Sequence, residues 1–242
     1  MNLTDFDALA FDCYGTLIDW ESGIFNALEA WARPHGIEAG RDELLALFAG
    51  FESAREAARP ARLYPDLLAQ VLGDIAAHYG TTASAAEAAA FGASVKDWPA
   101  FPDSARALAY LKRHYKLVIV SNVDRASFRH SNDKLGVAFD AIVTAEDVGA
   151  YKPDRPHFDR ALAALAAMGV PKEKVLHTAQ SLTHDHVPAK ALGLTTLWVN
   201  RRAGQKGWGA TKPPPVDVAP DWEVPSMAAL VELHKAHAED GT

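Results

Sequence analysis

Short apolar segments alternate with helix-like segments through the second half of the chain, and this alternation limits the fold more than any other feature. A further apolar segment, Ala8–Phe11, lies near the start; polar and apolar residues do not alternate in it, so both of its faces are expected to be buried. Strands separated by helices of about 10 to 15 residues favour a parallel sheet with right-handed crossovers. The sequence therefore predicts an α/β fold with a doubly wound parallel sheet, a Rossmann-like core. The later strands are expected at residues 117–121, 141–144, 174–178 and 195–199, with helices at residues 104–114, 126–135, 155–168 and 185–192.

A long helical block separates the first predicted strand from the others. It covers residues 18–96 and is interrupted by Gly and Pro. We expect this block to be an inserted cap domain, lying over the C-terminal edge of the sheet. The core domain would then consist of residues 1–17 and 97–242, closed by a short strand and a last helix at residues 226–238.

The charge balance and the single cysteine limit the partners and the compartment. The 242 residues include 24 Lys and Arg against 31 Asp and Glu, a formal net charge of −7. This balance argues against nucleic acid or an anionic membrane as the partner. Because Cys13 is the only cysteine, an intrachain disulfide cannot form, and we expect a cytoplasmic location. The start does not resemble a signal peptide, and no apolar run approaches the roughly 18 residues of a membrane span.

Polar residues follow the predicted strands at the points where they end. Asp12 ends the first strand, Ser121 and Asn122 end the second, and Lys152 and Asp185 follow later ones. Ligands of such sheets bind beyond the carboxyl ends of the strands, so we expect these residues to share one pocket. Taken alone, Asp12 also suits a turn, and Asp185 also suits a helix N-cap. Their joint occurrence at one sheet edge favours a functional site.

The same segments resemble the four motifs of the haloacid dehalogenase superfamily. Residues 11–17, FDCYGTL, are similar to the first motif, and residues 120–122, VSN, to the second. Residues 151–153, YKP, are similar to the third, and residues 179–185, AQSLTHD, to the fourth. The resemblance covers nearly the whole chain and implies that Asp12 is a covalent nucleophile.

Two side chains distinguish this chain from most members of that superfamily, which are magnesium-dependent phosphatases. Their first motif has a second Asp, a general acid, where this chain has Tyr14, and their fourth motif usually has an Asp where it has Gln180. Mg²⁺ requires several hard oxygen ligands, and a phenol has an intrinsic pKa of about 10. We therefore predict a site without a metal or another cofactor, with a magnesium-dependent phosphatase as an alternative.

A Tyr at the position of Tyr14 is similar to the L-2-haloacid dehalogenase branch. This resemblance implies that Asp12 attacks the Cα of a small 2-substituted carboxylic acid, such as an (S)-2-haloacid, and forms an ester that water hydrolyses. It implies that Lys152 keeps Asp12 ionised and that Asp185 activates or positions the water. Thr16, in the loop after Asp12, is assigned to the same catalytic group. The branch also implies a homodimer.

Seven residues are expected to contact the substrate. Ser121 and Asn122, with backbone amides of the first loop, are expected to hold the substrate carboxylate, and Trp20 to face the pocket. Phe158 lies where the branch has a Tyr, and Tyr64 is a further aromatic candidate that also suits core packing. The seven are Tyr14, Trp20, Ser121, Asn122, Phe158, Gln180 and Ser181.

The leaving group is not determined by the sequence. Dehalogenases of this branch have a halide-binding Arg on an early cap helix, and here the candidates Arg55, Arg59 and Arg62 lie in no matching motif. Arg55 and Arg59 share one helix face, and the plainer interpretation is an exposed face on which they pair with Glu52 and Glu56.

A ring amine is a second candidate leaving group. A related member of the superfamily opens the strained ring of azetidine-2-carboxylate, and such a substrate suits a site that lacks the halide-binding Arg. A protein that kept the fold for binding and lost turnover is another alternative. The presence of Asp12 and Lys152 argues against that alternative.

Overall fold

A computed structural model describes residues 1–59 and 61–239; residues 240–242 of the predicted core domain lie outside the described residues. The strands are β1 (Ala8–Phe11), β2 (Lys116–Ser121), β3 (Ala141–Thr144), β4 (Val175–Ala179), β5 (Thr195–Val199) and β6 (Trp222–Val224). They form one parallel sheet in the order β3-β2-β1-β4-β5-β6. The predicted α/β fold class with a parallel sheet is confirmed.

Helices connect the strands and cover the sheet. They are α1 (Trp20–Ala32), α2 (Arg41–Glu56), α3 (Tyr64–His78), α4 (Ala85–Gly92), α5 (Ser104–Leu111), α6 (Arg125–Leu135), α7 (Ala145–Val148), α8 (Pro156–Ala167), α9 (Val187–Ala191) and α10 (Met227–Glu239). Helices α1 to α4 all fall within residues 18–96, the predicted cap segment. The division of the chain into two domains stays a prediction.

The central strand β1 shows why the sheet is covered on both faces. All of its residues are buried. Leu9 and Phe11 belong to the larger apolar cluster, which includes side chains of α1 to α4, whereas Ala8 and Ala10 belong to a smaller cluster that includes Phe158 of α8. Because successive side chains of a strand point to opposite faces, this partition places helices on both sides.

The carboxyl ends of β1, β2 and β4 lie side by side at one edge of the sheet. This arrangement brings the segments after these strands together, as the sequence predicts. None of the helices in the described ranges has the length and apolar character needed to cross a bilayer.

Candidate active site

Asp12 directly follows β1, and the loop after it turns sharply. The Asp12 amide donates a hydrogen bond to the carbonyl oxygen of Thr178 in β4 (3.1 Å), which fixes its backbone at the sheet edge. Gly15 has a φ of +90°, and a Cβ there would lie 2.9 Å from Nε1 of Trp20, so this turn requires glycine. Oγ1 of Thr16 donates to Oδ2 of Asp12 (2.7 Å). The loop therefore orients one oxygen of the Asp12 carboxylate.

Two other segments hold Thr16 in place. The Gln180 amide donates to Oγ1 of Thr16 (2.9 Å), and Nε and Nη2 of Arg201 donate to its carbonyl oxygen (3.1 and 2.9 Å). Arg201 also forms an ion pair with Asp103 (3.0 Å). Arg201 was not predicted as a site residue, although its position just after β5, at the same sheet edge, was an available signal.

Lys152 connects the two carboxylates of the site. Its Nζ donates to Oδ1 of Asp12 (2.9 Å), to Oδ1 of Asp185 (2.8 Å) and to the carbonyl oxygen of Val120 (2.9 Å). The residue is only 2% exposed. An ammonium has three protons, and these three acceptors use all of them. Lys152 is therefore fixed in orientation as well as in charge.

Asp185 lies in a π-helical turn, Leu182–His186, and not at the start of an α-helix as predicted. Ser181 begins this turn, because its Oγ accepts a hydrogen bond from the His184 amide (3.0 Å), so Asp185 is not the cap. Nε2 of His177 lies 2.9 Å from Oδ1 of Asp185. Within the described part of the chain, Oδ2 of Asp185 has no hydrogen-bond partner.

Burial and the shared ammonium set the charges of this group. Burial raises the pKa of Asp12, and the hydrogen bonds from Lys152 and Thr16 offset this only in part. Burial also disfavours ionised Asp185, but Lys152 and His177 outweigh it and hold its pKa well below the ordinary value. Burial opposes the charge of Lys152, but the two carboxylates outweigh it and raise the Lys152 pKa. Lys152 is therefore an ammonium at neutral pH.

A single cavity brings most of the predicted residues together. Asp12, Tyr14, Trp20, Asn122, Lys152, Gln180, Ser181 and Asp185 line it, as predicted, together with Tyr64. The further lining residues are Glu52, Glu56, Val123, His184 and Thr211. Glu52, Glu56 and Thr211 were not predicted as site residues.

Three predicted site residues do not line this cavity. Phe158 packs in the smaller apolar cluster with its ring 5.2 Å from that of His177, because α8 turns it toward the sheet, so it is not positioned to contact substrate. Ser121 is fully buried at the end of β2 and does not reach the cavity either. Thr16 is fully buried and contacts the Asp12 carboxylate without lining the cavity itself.

Known proteins share this sequence pattern and this fold. Residues 6–185 match the family described as haloacid dehalogenase-like hydrolase. The chain belongs to the haloacid dehalogenase-like hydrolase family. The resemblance seen in the four motifs is thereby confirmed.

One curated relative and two solved structures illustrate what this haloacid dehalogenase-like hydrolase is similar to. The chain is 28% identical over 247 residues to an (S)-2-haloacid dehalogenase from Pseudomonas sp. (strain YL), covering 95% of both chains. The crystal structure of the L-2-haloacid dehalogenase PA0810 covers 96% of this chain and 99% of its own, with a TM-score of 0.75 and 24% identity. The HAD-hydrolase YfnB from Bacillus subtilis, bound to magnesium, covers 95% and 99%, with a TM-score of 0.75 and 19% identity. The fold is therefore shared with an L-2-haloacid dehalogenase and with a hydrolase bound to magnesium, and the reaction must be inferred from the side chains of the site.

The side chains of this hydrolase do not fit a divalent cation. The carboxylates of Asp12 and Asp185 each give one oxygen to the ammonium of Lys152, which leaves few anionic oxygens for a cation that prefers six oxygen ligands. Gln180 contributes a neutral amide to the cavity. Over residues 1–59 and 61–239, no three His, Cys, Asp or Glu side chains are grouped so that they could hold a metal ion.

Tyr14 is a neutral phenol in this site. Its hydroxyl lies 2.8 Å from Oγ of Ser131. Its ring packs nearly perpendicular to that of Trp98, with the ring centroids 5.6 Å apart. Burial raises the pKa of Tyr14 well above its ordinary value. Tyr14 therefore adds neither a negative charge nor a strong acid to the cavity.

The three candidate halide-binding arginines do not line the cavity either. Arg55 forms a two-pronged hydrogen bond with Asp74 of α3 (2.7 and 2.5 Å). Arg59 forms an ion pair with Asp154, and Arg62 is exposed. Each guanidinium is therefore committed elsewhere or directed to solvent.

The predicted pairing of Arg55 and Arg59 with Glu52 and Glu56 is wrong. Glu52 and Glu56 are 4% and 6% exposed and line the cavity. They continue the buried stripe of α2 that begins with Leu44 and Phe48, at intervals of four residues. This spacing was the missed signal, because residues four apart share one helix face.

Proposed function

We propose that this protein is a metal-independent hydrolase that displaces the 2-substituent of a small carboxylic acid through a covalent ester of Asp12. The relative from Pseudomonas sp. (strain YL), named (S)-2-haloacid dehalogenase, supports displacement at Cα, with (S)-2-haloacids as one substrate class to test. The contact of one buried ammonium, that of Lys152, with both Asp12 and Asp185 carries this proposal. It supplies the Asp12 carboxylate with a positive charge that lowers its pKa and so opposes the rise caused by burial.

In the first step, an oxygen of Asp12 attacks Cα from the side opposite the leaving group. The O–Cα bond forms as the bond to the substituent breaks, and the configuration at Cα inverts. Lys152 and Thr16 hold one carboxylate oxygen each and so aim the nucleophile. The cavity limits the solvation of the nucleophile by water.

The substrate carboxylate requires hydrogen-bond donors within the cavity. The hydroxyls of Ser181 and Thr211 line it, and Oγ1 of Thr211 has no partner among the described residues. We assign them to the carboxylate together with backbone amides of the loop after Asp12. Ser121 is too deeply placed for the contact that the sequence suggested.

Asn122 is better suited to positioning than to substrate binding. Its Nδ2 donates to Oε1 of Glu56 (2.8 Å) and to the carbonyl oxygen of Lys152 (3.2 Å). Its Oδ1 accepts from the Lys152 amide (2.7 Å). Both ends of the amide are thus engaged, and they fix the backbone that carries the catalytic ammonium.

In the second step, water attacks the carbonyl carbon of the Asp12 ester. The unpartnered Oδ2 of Asp185, which lines the cavity, orients this water and accepts its proton. The proton taken by Asp185 passes to the product alkoxide, which leaves as the hydroxyl of a 2-hydroxy acid. The Asp12 carboxylate is restored with one oxygen from water, and the second proton of the water is released to solvent.

Isotope labelling tests the covalent ester. In a single turnover with excess enzyme in ¹⁸O-water, we expect the label in the Asp12 carboxylate, with (S)-2-chloropropionate as substrate. Label in the product alone would contradict the ester. Asp12→Asn is expected to abolish turnover while the circular dichroism spectrum is retained. Excess EDTA is expected to leave this turnover unchanged, whereas hydrolysis of p-nitrophenyl phosphate that EDTA abolishes would favour a magnesium-dependent phosphatase instead.

We further propose the organisation around the site. Trp20, Glu52, Glu56 and Tyr64 reach the cavity from residues 18–96, which supports the assignment of that segment as a cap domain. The single cysteine, Cys13, supports a reducing compartment such as the cytoplasm. The homodimer stays a prediction.

A further inference from the structure

Two carboxyl groups of α2 enter the same cavity as the nucleophile. Glu52 and Glu56 are one helical turn apart, and both are more than nine-tenths buried. The hydroxyl of Tyr64 donates to Oε1 of Glu52 (2.6 Å), and Nδ2 of Asn122 donates to Oε1 of Glu56 (2.8 Å). These neutral donors satisfy one oxygen of each group but supply no positive charge.

The cavity contains more acid than base. Four of its lining side chains are carboxyl groups, those of Asp12, Glu52, Glu56 and Asp185, against one ammonium. That ammonium, Lys152, is used by Asp12, Asp185 and a carbonyl oxygen. Among the residues that the structure describes, no Lys or Arg forms an ion pair with Glu52 or Glu56, although the charge of Lys152 lowers the pKa of Glu56 slightly against burial. A buried carboxyl group without an ion-pair partner holds a proton or binds a cationic ligand.

The other groups that face the two glutamates do not change this balance. Nε2 of His184 lies 3.6 Å from Oε2 of Glu56, but burial lowers the pKa of His184 to about 4, so it is neutral at pH 7. Burial raises the pKa values of Tyr64 and Tyr151, which stay neutral. Consistently, burial raises the pKa of Glu52 to about 8.

A second observation indicates that a polar ligand belongs in this cavity. Oγ1 of Thr211 and Oδ2 of Asp185 have no hydrogen-bond partner among the described residues. Both residues are more than nine-tenths buried, and both line the cavity. Buried polar atoms are nearly always paired, so these atoms are expected to find partners in the substrate and in the water it needs.

We propose that Glu52 and Glu56 form the leaving-group site and that they fit a protonated nitrogen, as in a small cyclic 2-amino carboxylate, rather than a halide. The inference rests on the proposed displacement at Cα and specifies its substrate class. A departing halide would face carboxyl groups with no available cation, whereas an ammonium finds two acceptors there. Azetidine-2-carboxylate, whose ring nitrogen is bonded to Cα, is a small probe of this class with a strained ring.

The chemistry balances without a co-reactant other than water. Asp12 forms a bond to Cα of the ring-protonated substrate while the Cα–N bond breaks, and the nitrogen keeps the electron pair and both of its protons. The resulting primary amine takes a further proton from the carboxyl pair of Glu52 and Glu56. Water then cleaves the Asp12 ester, one of its protons goes to the departing alkoxide, and the other restores the pair. The net reaction adds one water and yields an amino 2-hydroxy acid.

A comparison of two substrates that differ in their leaving group tests the assignment of Glu52 and Glu56. We would measure kcat/KM for azetidine-2-carboxylate and for (S)-2-chlorobutanoate with the wild type, Glu52→Gln, Glu56→Gln and the double variant. The glutamines keep the hydrogen bonds from Tyr64 and Asn122 but cannot give a proton or pair with a cation. The ratio of the two constants is expected to shift toward the chloride substrate by about tenfold or more in the double variant.

The matched control is Glu43→Gln, on the same helix. Glu43 also accepts a hydrogen bond from a tyrosine, Tyr79 (2.6 Å), but it lies at the surface and outside the cavity. It is expected to keep the wild-type ratio. An unchanged ratio in the double variant, or a wild type that prefers the chloride substrate by tenfold or more, would overturn the inference (about 1.4 kcal/mol).

A binding measurement separates this inference from the proposed reaction. With Asp12→Asn, we would compare the affinity for azetidine-2-carboxylate with that for cyclobutanecarboxylate, which has CH₂ in place of the nitrogen. Tighter binding of the amine by about tenfold, removed by Glu52→Gln and Glu56→Gln together, supports the nitrogen site. Equal binding of both acids refutes it. Failure of ¹⁸O to label Asp12 with either substrate would instead refute the covalent reaction, whatever the binding result.

Discussion

The ammonium of Lys152 lies 2.9 Å from Oδ1 of Asp12, at a depth where both side chains are almost completely shielded from water. The same nitrogen lies 2.8 Å from Oδ1 of Asp185. Pairing of a buried charge is necessary, because an isolated one costs several kcal/mol to desolvate. The ion pair therefore serves the stability of the fold as well as the state of the nucleophile.

Replacement of Lys152 by Met is expected to lower both the stability of the fold and the activity. Two buried carboxylates would lose the ammonium that they share, so the free energy of unfolding should fall by about 3–5 kcal/mol at neutral pH, and turnover should be lost. Urea denaturation and kcat measure the two effects. Lys190→Met is the control: Lys190 binds Asp221 (2.8 Å) but is partly exposed, so its loss should cost no more than about 1 kcal/mol. Equal losses in the two variants would contradict the role of Lys152.

Thr16→Val removes the hydrogen bond to Oδ2 of Asp12 while keeping the shape of the side chain. We expect kcat to fall by about 10- to 100-fold and stability by about 1–2 kcal/mol. Because that bond lowers the pKa of Asp12, its loss should move the acidic limb of the kcat/KM profile to higher pH. Thr183→Val is the control: it removes an exposed hydroxyl that donates a hydrogen bond to the carbonyl oxygen of Lys212 (3.1 Å), and it should leave the pH profile unchanged.

Glu52→Gln is expected to change how stability depends on pH. The pKa of Glu52 is about 8 in the folded protein and 4.5 as an ordinary value. Between these pH values the unfolded chain releases a proton that the folded chain keeps, so wild-type stability falls as pH rises. The variant lacks this loss and should be more stable than the wild type by a few kcal/mol near pH 9, but similar near pH 4.

Thermal or urea denaturation between about pH 4 and pH 9 measures this effect. Glu43→Gln reports the effect of the same substitution on α2 at the surface. Parallel stability curves for Glu52→Gln and the wild type would show that Glu52 is ionised in the folded protein, contrary to its burial.

Arg55→Gln tests whether this arginine serves the leaving group. The guanidinium is bound to Asp74 and does not line the cavity, so kcat/KM for either substrate should stay within about twofold of the wild type. The ion pair is partly exposed, and its loss should cost at most about 1 kcal/mol. A tenfold loss specific to the chloride substrate would instead identify Arg55 as a halide-binding residue.

The sequence predicted the sheet well because its signals are local. The apolar run Ala8–Phe11 has the bounds of β1, and the strands after it shift by at most one residue. Near Asp185 the prediction failed, since a π-helical turn capped by Ser181 looks like the start of an α-helix in sequence. Such a turn depends on the tertiary contacts of Asp185 with Lys152 and His177, which no local pattern contains.

The site was predictable where residues follow strands and obscure where they come from helices or loops. Asp12 and Lys152 were found because the carboxyl ends of parallel strands meet. Glu52 and Glu56 were assigned to an exposed face because charged residues are rarely buried, although their spacing with Phe48 indicated otherwise. Thr211 had no such signal, since it lies in a glycine-rich loop.

One amide joins the two halves of this site. Asn122 binds Glu56 of α2 through the same Nδ2 that contacts the Lys152 carbonyl oxygen, and its Oδ1 holds the Lys152 amide. The position of the α2 carboxyl group and the position of the backbone that carries the ammonium therefore depend on one side chain, and a substitution of Asn122 would disturb both together.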